Sequence, residues 1–171
     1  MNVLLIGSGA REHSIARALK RSHHELNLFC FGTNRNPGIL KLARGYSSGS
    51  MNDAPEMVQF AQANKIDWAF VGSEAPLAAG FVDALIGVGI PSIGPTKSLA
   101  RIETSKNFAR ELLTGSGISG SPRYQYFTDL NGVAEFLREL KENYVVKADG
   151  LMGGKGVKVV GDHLHSVDET I

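Results

Sequence analysis

The amino-terminal segment constrains the fold of this chain most strongly. Residues 3–6 form a continuous apolar run, Gly7-Ser8-Gly9 follows directly, and residues 10–22 carry apolar side chains at helical spacing. This order predicts a buried strand, a tight glycine turn and a helix. Because a helix amino terminus presents free N–H groups and a positive dipole end, we expect a phosphate or pyrophosphate group at this turn.

The same alternation continues along the first hundred residues. An apolar run at 26–31 predicts a second strand, and 54–64 and 68–71 predict a helix and another strand. A helix of small residues that ends near Gly89 and a short strand within 90–95 complete the pattern. Strands that alternate with helices are typical of an α/β fold with a doubly wound parallel sheet.

A composition change marks a second part of the chain. Residues 97–115 predict one long helical connector, and the Gly- and Ser-rich segment 115–122 has the most linker-like composition in the sequence. We therefore expect a domain over residues 1–100, a connector and linker over 101–120, and a second, incomplete domain over 121–171.

The second part predicts a small β-α-β-β unit that ends in a glycine-rich hairpin. A strand is expected at 124–127, a helix from Asp129 to Glu142, and two Val-rich strands on either side of a mobile loop. The sequence at 166–169 resembles a helix start, with a serine N-cap followed by acidic residues.

The loop of this hairpin has the residues of a phosphate cradle. Its four glycines let backbone N–H groups approach an anion, and two lysines add ammonium groups; these residues are Gly150, Gly153, Gly154, Gly156, Lys147 and Lys155. It is not a Walker A loop, because Asp149 replaces the first glycine and no helix follows. A flexible hairpin whose lysines face water is the alternative.

Charge and cysteine content exclude several functional classes. The chain has a net charge of +1 and no Lys/Arg block, so nucleic acid is not expected as a partner. The lone Cys30 lies in an apolar run, which predicts a small buried hydrophobe and fits a reducing cytoplasm. Neither an export signal nor a membrane span is expected.

The glycine turn at the amino terminus does not fit a dinucleotide site. Glu12 stands where the third glycine of that fingerprint belongs, and the second predicted strand ends without the acidic residue that binds ribose. The turn-forming segment 32–38 follows that strand, at the sheet edge where α/β folds bind ligands. We therefore expect a small phosphorylated ligand rather than NAD.

Four ordered segments resemble the phosphoribosylamine–glycine ligase family of ATP-grasp enzymes. GSGAREH resembles the family's GxGGREHA, SEAPL its PEAPL, IGPTKSLARIETSK its fGPtkaaAqLEgSK, and KADGLMGGKGV its KADGLAAGKGV. Departures occur at Ala10, Ser14, Ser73 and the pair Met152-Gly153. The resemblance covers nearly the whole chain and implies a Rossmann-like substrate domain followed by the first part of an ATP-grasp domain.

The resemblance also implies the site residues. Those that would bind the phosphoribosyl substrate are Gly7, Gly9, Arg11, Glu12, His13, Asn36, Pro37, Gly38, Gly72 and Glu74. Those that would bind ATP are Lys106, Lys147, Asp149, Gly150, Gly153, Gly154, Lys155 and Gly156. Simpler roles remain open: His13 as a surface residue, Asn36-Pro37-Gly38 as an ordinary turn, and Glu74 as a carboxylate that complements a helix dipole.

The implied reaction joins glycine to 5-phosphoribosylamine at the expense of ATP, through glycyl phosphate, in purine biosynthesis. The complete enzyme would need ATP and Mg²⁺ or Mn²⁺, with the catalytic and metal-binding acids beyond Ile171, so no metal site and no activity are expected for this chain alone. We expect a cytoplasmic monomer. The alternatives are another ATP-grasp carboxylate–amine ligase and a non-enzymatic module that binds a nucleotide or sugar phosphate.

Overall fold

A computed structural model describes residues 1–141 and 143–171 of the chain. These residues form two compact units, Met1–Arg101 and Ile102–Ile171. The larger hydrophobic clusters lie in the first unit, and a smaller one lies in the second.

The first unit contains one parallel sheet. Its strands are β1 (Asn2–Ile6), β2 (Asn27–Gly32), β3 (Gly45–Ser48), β4 (Trp68–Val71) and β5 (Ser92–Ile93). They lie in the order β3-β2-β1-β4-β5, and all four pairings are parallel. The chain first moves outward from β1 to β3 and then crosses back to β4, so the direction of winding reverses between β1 and β4.

Helices cover both faces of this sheet. They are α1 (Ala10–Lys20), α2 (Pro37–Leu40), α3 (Pro55–Ala63), α4 (Glu74–Ala79) and α5 (Phe81–Gly87). A further helix, α6 (Lys97–Thr104), follows β5 and ends in the second unit. Leu4 of β1 belongs to the core cluster that includes α3 and α5, whereas Leu5 belongs to the cluster with α1 and α2. Alternate strand residues therefore pack against opposite helical layers. The predicted doubly wound α/β fold is confirmed, and so is the burial of Cys30.

The second unit is small and contains the predicted hairpin. Its elements are α7 (Lys106–Gly115), α8 (Val133–Glu139), β6 (Val145–Lys147), β7 (Val157–Val159) and α9 (Val167–Thr170). The two strands are antiparallel, and Lys147 pairs with Val157 next to the loop. Leu137, Tyr144 and Leu164 form the buried centre of this unit. None of the helices in the described part of the chain is long and apolar enough to span a bilayer.

Two predicted helices are interrupted. The helix expected to end near Gly89 is divided into α4 and α5 at Gly80, whose φ of +84° is left-handed and ends α4. The single connector expected over 97–115 is divided at Ser105, which has extended backbone. The Ser105 hydroxyl accepts a 3.1 Å hydrogen bond from the Phe108 N–H and so begins a new helix as an N-cap.

Two predictions in the second unit are wrong. Residues 124–127 have irregular backbone rather than a strand, and no described strand pairs with them. The helix expected from Asp129 begins only at Val133, because the Asp129 carboxylate accepts a 2.8 Å hydrogen bond from the Asn131 N–H and Gly132 has a φ of +76°. Glu142, the expected end of that helix, lies outside the described residues.

Candidate functional site

The first candidate site lies at the carboxyl ends of β1 and β4. These neighbouring strands are the point at which the winding of the sheet reverses, which is where open α/β sheets bind ligands. The Gly7 N–H bonds the Phe31 carbonyl at 2.8 Å and the Gly72 N–H bonds the Ile6 carbonyl at 2.9 Å. Both loops therefore leave the sheet immediately after its last backbone hydrogen bonds.

The Glu12 side chain lies between these two loops. It is only 4% exposed, and its Oε2 accepts a 2.6 Å hydrogen bond from the Gly9 N–H. A Cβ atom added at Gly72 would lie 2.6 Å from Glu12 Cγ, and one added at Gly7 would lie 2.7 Å from it. The glycines at these positions are therefore required for the close approach of the loop backbones to Glu12.

Arg11 and Glu74 extend across the same pair of loops on the solvent side. Arg11 Nη1 donates to the Gly72 carbonyl at 2.9 Å and lies 3.5 Å from Glu74 Oε2. The side chains are 66% and 40% exposed, so the ion pair contributes little to stability and both charges are accessible to a ligand.

Asn36 joins the turn after β2 to the turn after β1. Its Oδ1 accepts hydrogen bonds from the N–H groups of Gly38 at 2.9 Å and Ile39 at 3.2 Å, which caps α2, and Pro37 occupies the first turn of that helix. Its Nδ2 donates to the Ser8 carbonyl at 3.0 Å. The amide of Asn36 thus holds the two turns together.

The His13 imidazole packs directly against Gly38. A Cβ atom added there would lie 2.4 Å from His13 Cε1, so only glycine fits without movement of the ring. His13 is half-buried on α1. All the residues predicted to bind substrate are therefore gathered at one edge of the sheet, although their contact with a substrate stays a prediction.

Tyr46 and Ser8 also belong to this edge, and the sequence analysis did not identify them. The Tyr46 hydroxyl donates to the Asn34 carbonyl and accepts from the Asn36 N–H at 3.4 Å, and the Ser8 hydroxyl accepts from the Asn34 N–H at 3.2 Å. Strand β3, which carries Tyr46, was not predicted because GYSS lacks an apolar run. The feature of the sequence that could have identified Tyr46 is a tyrosine within a polar segment that follows a turn.

The second candidate site is the loop between β6 and β7. The Ala148 N–H bonds the Gly156 carbonyl at 3.0 Å and closes the base of the loop, and the Lys155 N–H bonds the Met152 carbonyl at 3.0 Å within it. Gly153 and Gly154 have φ values of +55° and +79°, and no atom lies within 4 Å of a Cβ added at either. The loop is an open turn whose backbone is accessible.

Asp149 anchors the base of this loop to the start of α7. Its carboxylate accepts hydrogen bonds from the Lys106 N–H at 2.6 Å and the Ser105 hydroxyl at 3.0 Å, and the Lys106 ammonium donates to the Gly150 carbonyl at 2.7 Å. Desolvation alone would raise the pKa of Asp149, but the hydrogen bonds, led by that from the Lys106 N–H, outweigh it and lower the pKa below its ordinary value.

The ammonium groups of Lys147 and Lys155 differ from that of Lys106, which is hydrogen-bonded to the Gly150 carbonyl. In the described part of the chain, no hydrogen bond or ion pair involves the ammonium group of Lys147 or Lys155. Both charges are therefore available to an anion beside the loop. Among the described residues, no group of three or more His, Cys, Asp or Glu side chains is arranged to hold a metal ion.

Two family models match successive parts of the chain. The N domain of phosphoribosylglycinamide synthetase matches residues 1–103, and the ATP-grasp (A) domain of the same family matches residues 104–170.

Curated relatives match almost the whole chain. A phosphoribosylamine–glycine ligase from Methanosphaera stadtmanae is 45% identical over 169 residues, which is 99% of this chain and 38% of the relative. Its counterpart from Methanothermobacter thermautotrophicus is 46% identical over all 171 residues, again 38% of the relative. The chain therefore spans well under half the length of these relatives.

Solved structures share the fold at low sequence identity. N5-carboxyaminoimidazole ribonucleotide synthetase from Thermotoga maritima has a TM-score of 0.74 and 17% identity, over 99% of this chain and 43% of that one. Phosphoribosylglycinamide synthetase from Anaerococcus prevotii has a TM-score of 0.63 and 18% identity, over 88% of this chain and 37% of that one.

Proposed function

This chain belongs to the phosphoribosylglycinamide synthetase family, and from that premise we propose that it supplies two parts of a phosphoribosylamine–glycine ligase. Residues 1–100 act as the substrate domain, 101–120 as a connector, and 121–171 as the beginning of the ATP-grasp domain. Small molecules are its partners: ATP, glycine and 5-phosphoribosylamine. A monomeric state and a cytoplasmic location stay predictions.

The proposed reaction has two steps. A glycine carboxylate oxygen attacks the γ-phosphorus of ATP, the bond to the β-phosphate breaks, and glycyl phosphate and ADP form. The amine of 5-phosphoribosylamine then attacks the acyl carbon, inorganic phosphate leaves with the former carboxylate oxygen, and the amine loses a proton. The products are glycinamide ribonucleotide, ADP and phosphate.

The observation that carries the proposal is the pair of sites in one chain. The carboxyl edge of β1 and β4 presents Arg11 and Glu74 to solvent, and the open loop of the hairpin presents the ammonium groups of Lys147 and Lys155. Ammonium groups and accessible N–H groups stabilise the charge that develops on a phosphoryl group during transfer. A site for a small polar substrate and a site for nucleotide phosphates are what such a ligase needs.

The described residues of this chain fit the phosphates of ATP but not a divalent metal ion. The glycine loop and its lysines suit the phosphate chain of ATP, which in this reaction is a substrate. The described residues do not suit Mg²⁺ or Mn²⁺, because no cluster of three potential ligands is present among them. We therefore assign no metal-dependent step to residues of this chain.

A hybrid enzyme tests the proposal. This chain replaces the matching segment of a curated relative that aligns with all 171 of its residues, and ADP release is measured with ATP, Mg²⁺, glycine and freshly generated phosphoribosylamine. We expect ADP release that requires both glycine and the amine. Turnover that instead requires bicarbonate, or a different amine, would replace this proposal with another ATP-grasp ligase. Ligand binding without turnover would indicate a binding module.

A further inference from the structure

The Gly9 amide, which a phosphate at the β1–α1 turn would use, is already bonded within the protein. In phosphate-binding turns of this kind, N–H groups at the helix start donate to the anion. Here the Gly9 N–H donates to Glu12 Oε2 at 2.6 Å. The protein's own carboxylate thus takes the position of an external anion.

Glu12 is held in this position by its surroundings. Among the residues that the structure describes, Glu12 is the one charged residue that is buried, with 4% of its surface exposed. The backbones of Gly7, Gly9 and Gly72 all approach it so closely that an added Cβ would lie 2.6–2.8 Å from its side chain. Movement of the carboxylate away from Gly9 would therefore require the two loops to separate.

The negative charge of Glu12, like its hydrogen bond to Gly9, disfavours a phosphate group at the Gly9 amide. A phosphate group at Gly9 would lie next to a carboxylate with little intervening water, where like charges repel strongly. Arg11 does not neutralise this carboxylate by an ion pair, because its guanidinium contacts the Gly72 carbonyl and Glu74 instead.

We propose that Glu12 is a specificity-determining residue that excludes the phosphate of the substrate from the Gly9 amide. The phosphate of the substrate then binds to other groups. The identity of the substrate rests on the proposed function, but the exclusion of an anion from Gly9 does not.

Phosphate titration of the ¹⁵N-labelled 171-residue chain tests this inference. Inorganic phosphate and ribose 5-phosphate are added separately while the Gly9 amide resonance is followed. Two variants are compared with the wild type: Glu12→Gly, which recreates a G-x-G-x-x-G sequence, and Glu74→Gln, which removes one exposed carboxylate from the same edge without contact with Gly9.

We expect no saturable shift of the Gly9 resonance in the wild type or in Glu74→Gln. In Glu12→Gly the shift becomes saturable, with affinity for phosphate higher by about tenfold to a hundredfold, the range of one charge-assisted hydrogen bond. A saturable Gly9 shift in the wild type would overturn the inference, and so would a folded Glu12→Gly variant that responds no more than the wild type.

The wild-type titration remains decisive if Glu12→Gly does not fold, because it needs no substitution. Inorganic phosphate is not the substrate of one particular ligase, so its titration tests the role of Glu12 independently of the proposed function. Failure of the hybrid enzyme to release ADP would instead count against the proposed function and leave the result at Gly9 unchanged.

Discussion

A buried carboxylate at position 12 limits which residues can surround it. The side chain of Glu12 fills the space between the loops that follow β1 and β4, and the backbones of three glycines lie against it. Since protein interiors are close-packed, an added methyl group at such a contact forces either the side chain or the loop to move.

The substitution Gly72→Ala is expected to destabilise the first unit by about 1–3 kcal/mol, because the new methyl group overlaps Glu12. Gly87→Ala is the matched control, since no atom lies within 4 Å of a Cβ at Gly87 and alanine favours helix by about 0.5–1 kcal/mol. Urea unfolding followed by circular dichroism measures both variants. Equal unfolding midpoints for Gly72→Ala and the wild type would contradict the packing described for Glu12.

Sequence reasoning located the members of this site but not their contacts. It selected Glu12 because GSGAREH resembles the family's opening motif, and its bond to Gly9 is a local contact at the start of α1. The contact of Glu12 with Gly72, by contrast, depends on packing across 60 residues of sequence. Asn36 was selected as a possible ligand, whereas its side chain caps α2 and bonds the Ser8 carbonyl. Side-chain amides form such local bonds whenever geometry allows, and a sequence does not specify that geometry.

At the scale of secondary structure, single residues decided where the helices end. The apolar spacing of 97–115 is compatible with one helix, but the Ser105 side chain competes for a backbone N–H and divides it. The hairpin was easier to predict, because Val-rich runs on either side of a glycine loop favour antiparallel strands. The strand expected at 124–127 had no such partner, and an unpaired strand is not stable.

Asp149 is expected to fix the base of the glycine loop to α7. Asp149→Ala should increase hydrogen exchange at the Lys106 amide and in residues 148–156, at a cost of about 1 kcal/mol or less because the carboxylate is exposed. Asp162→Ala, at an exposed carboxylate in the same unit, is the control. Equal exchange at Lys106 in both variants would show that Asp149 does not anchor the loop.

The anchor at Asp149 should also depend on pH. Its pKa is lower in the folded chain than in the unfolded chain, so its contribution is present above the unfolded pKa of about 4. The contribution is lost as the pH falls through the folded pKa. The protection factor of the Lys106 amide, which corrects for the pH dependence of intrinsic exchange, should therefore fall in acid in the wild type and change less in Asp149→Ala. An identical acid response in both proteins would contradict the assignment.

Lys147 ends strand β6 next to the loop, so its ammonium group is expected to hold a nucleotide phosphate. In the hybrid enzyme, Lys147→Ala should weaken ATP binding by about 1.5–3 kcal/mol, as for a lost charge-assisted hydrogen bond, and Lys155→Ala by less. Lys158→Ala is the control, because Lys158 pairs with Val146 and so lies on the other face of the hairpin. Calorimetric titration with a non-hydrolysable ATP analogue measures all three, and an unchanged affinity in Lys147→Ala would refute its role.

At the scale of the whole molecule, the alternation of strands and helices predicted a doubly wound sheet but not its strand order. The order β3-β2-β1-β4-β5 depends on pairings such as Leu4 with Phe29 and with Ala69, which are distant in sequence. That order is what brings the loops after β1 and β4 together on either side of Glu12. β3 was missed for a related reason: it is held by its pairing with β2 rather than by an apolar pattern of its own.

The most direct test of the ligase assignment follows one oxygen atom in the hybrid enzyme. Glycine labelled with ¹⁸O at both carboxylate oxygens is supplied with unlabelled ATP and phosphoribosylamine, and the inorganic phosphate released is analysed by mass spectrometry. If ATP activates the glycine carboxylate, each phosphate carries one ¹⁸O atom, because that oxygen leaves with the phosphoryl group when the amine attacks. Phosphate without ¹⁸O, released at the same rate as ADP, would mean that water accepts the phosphoryl group and would contradict the assignment.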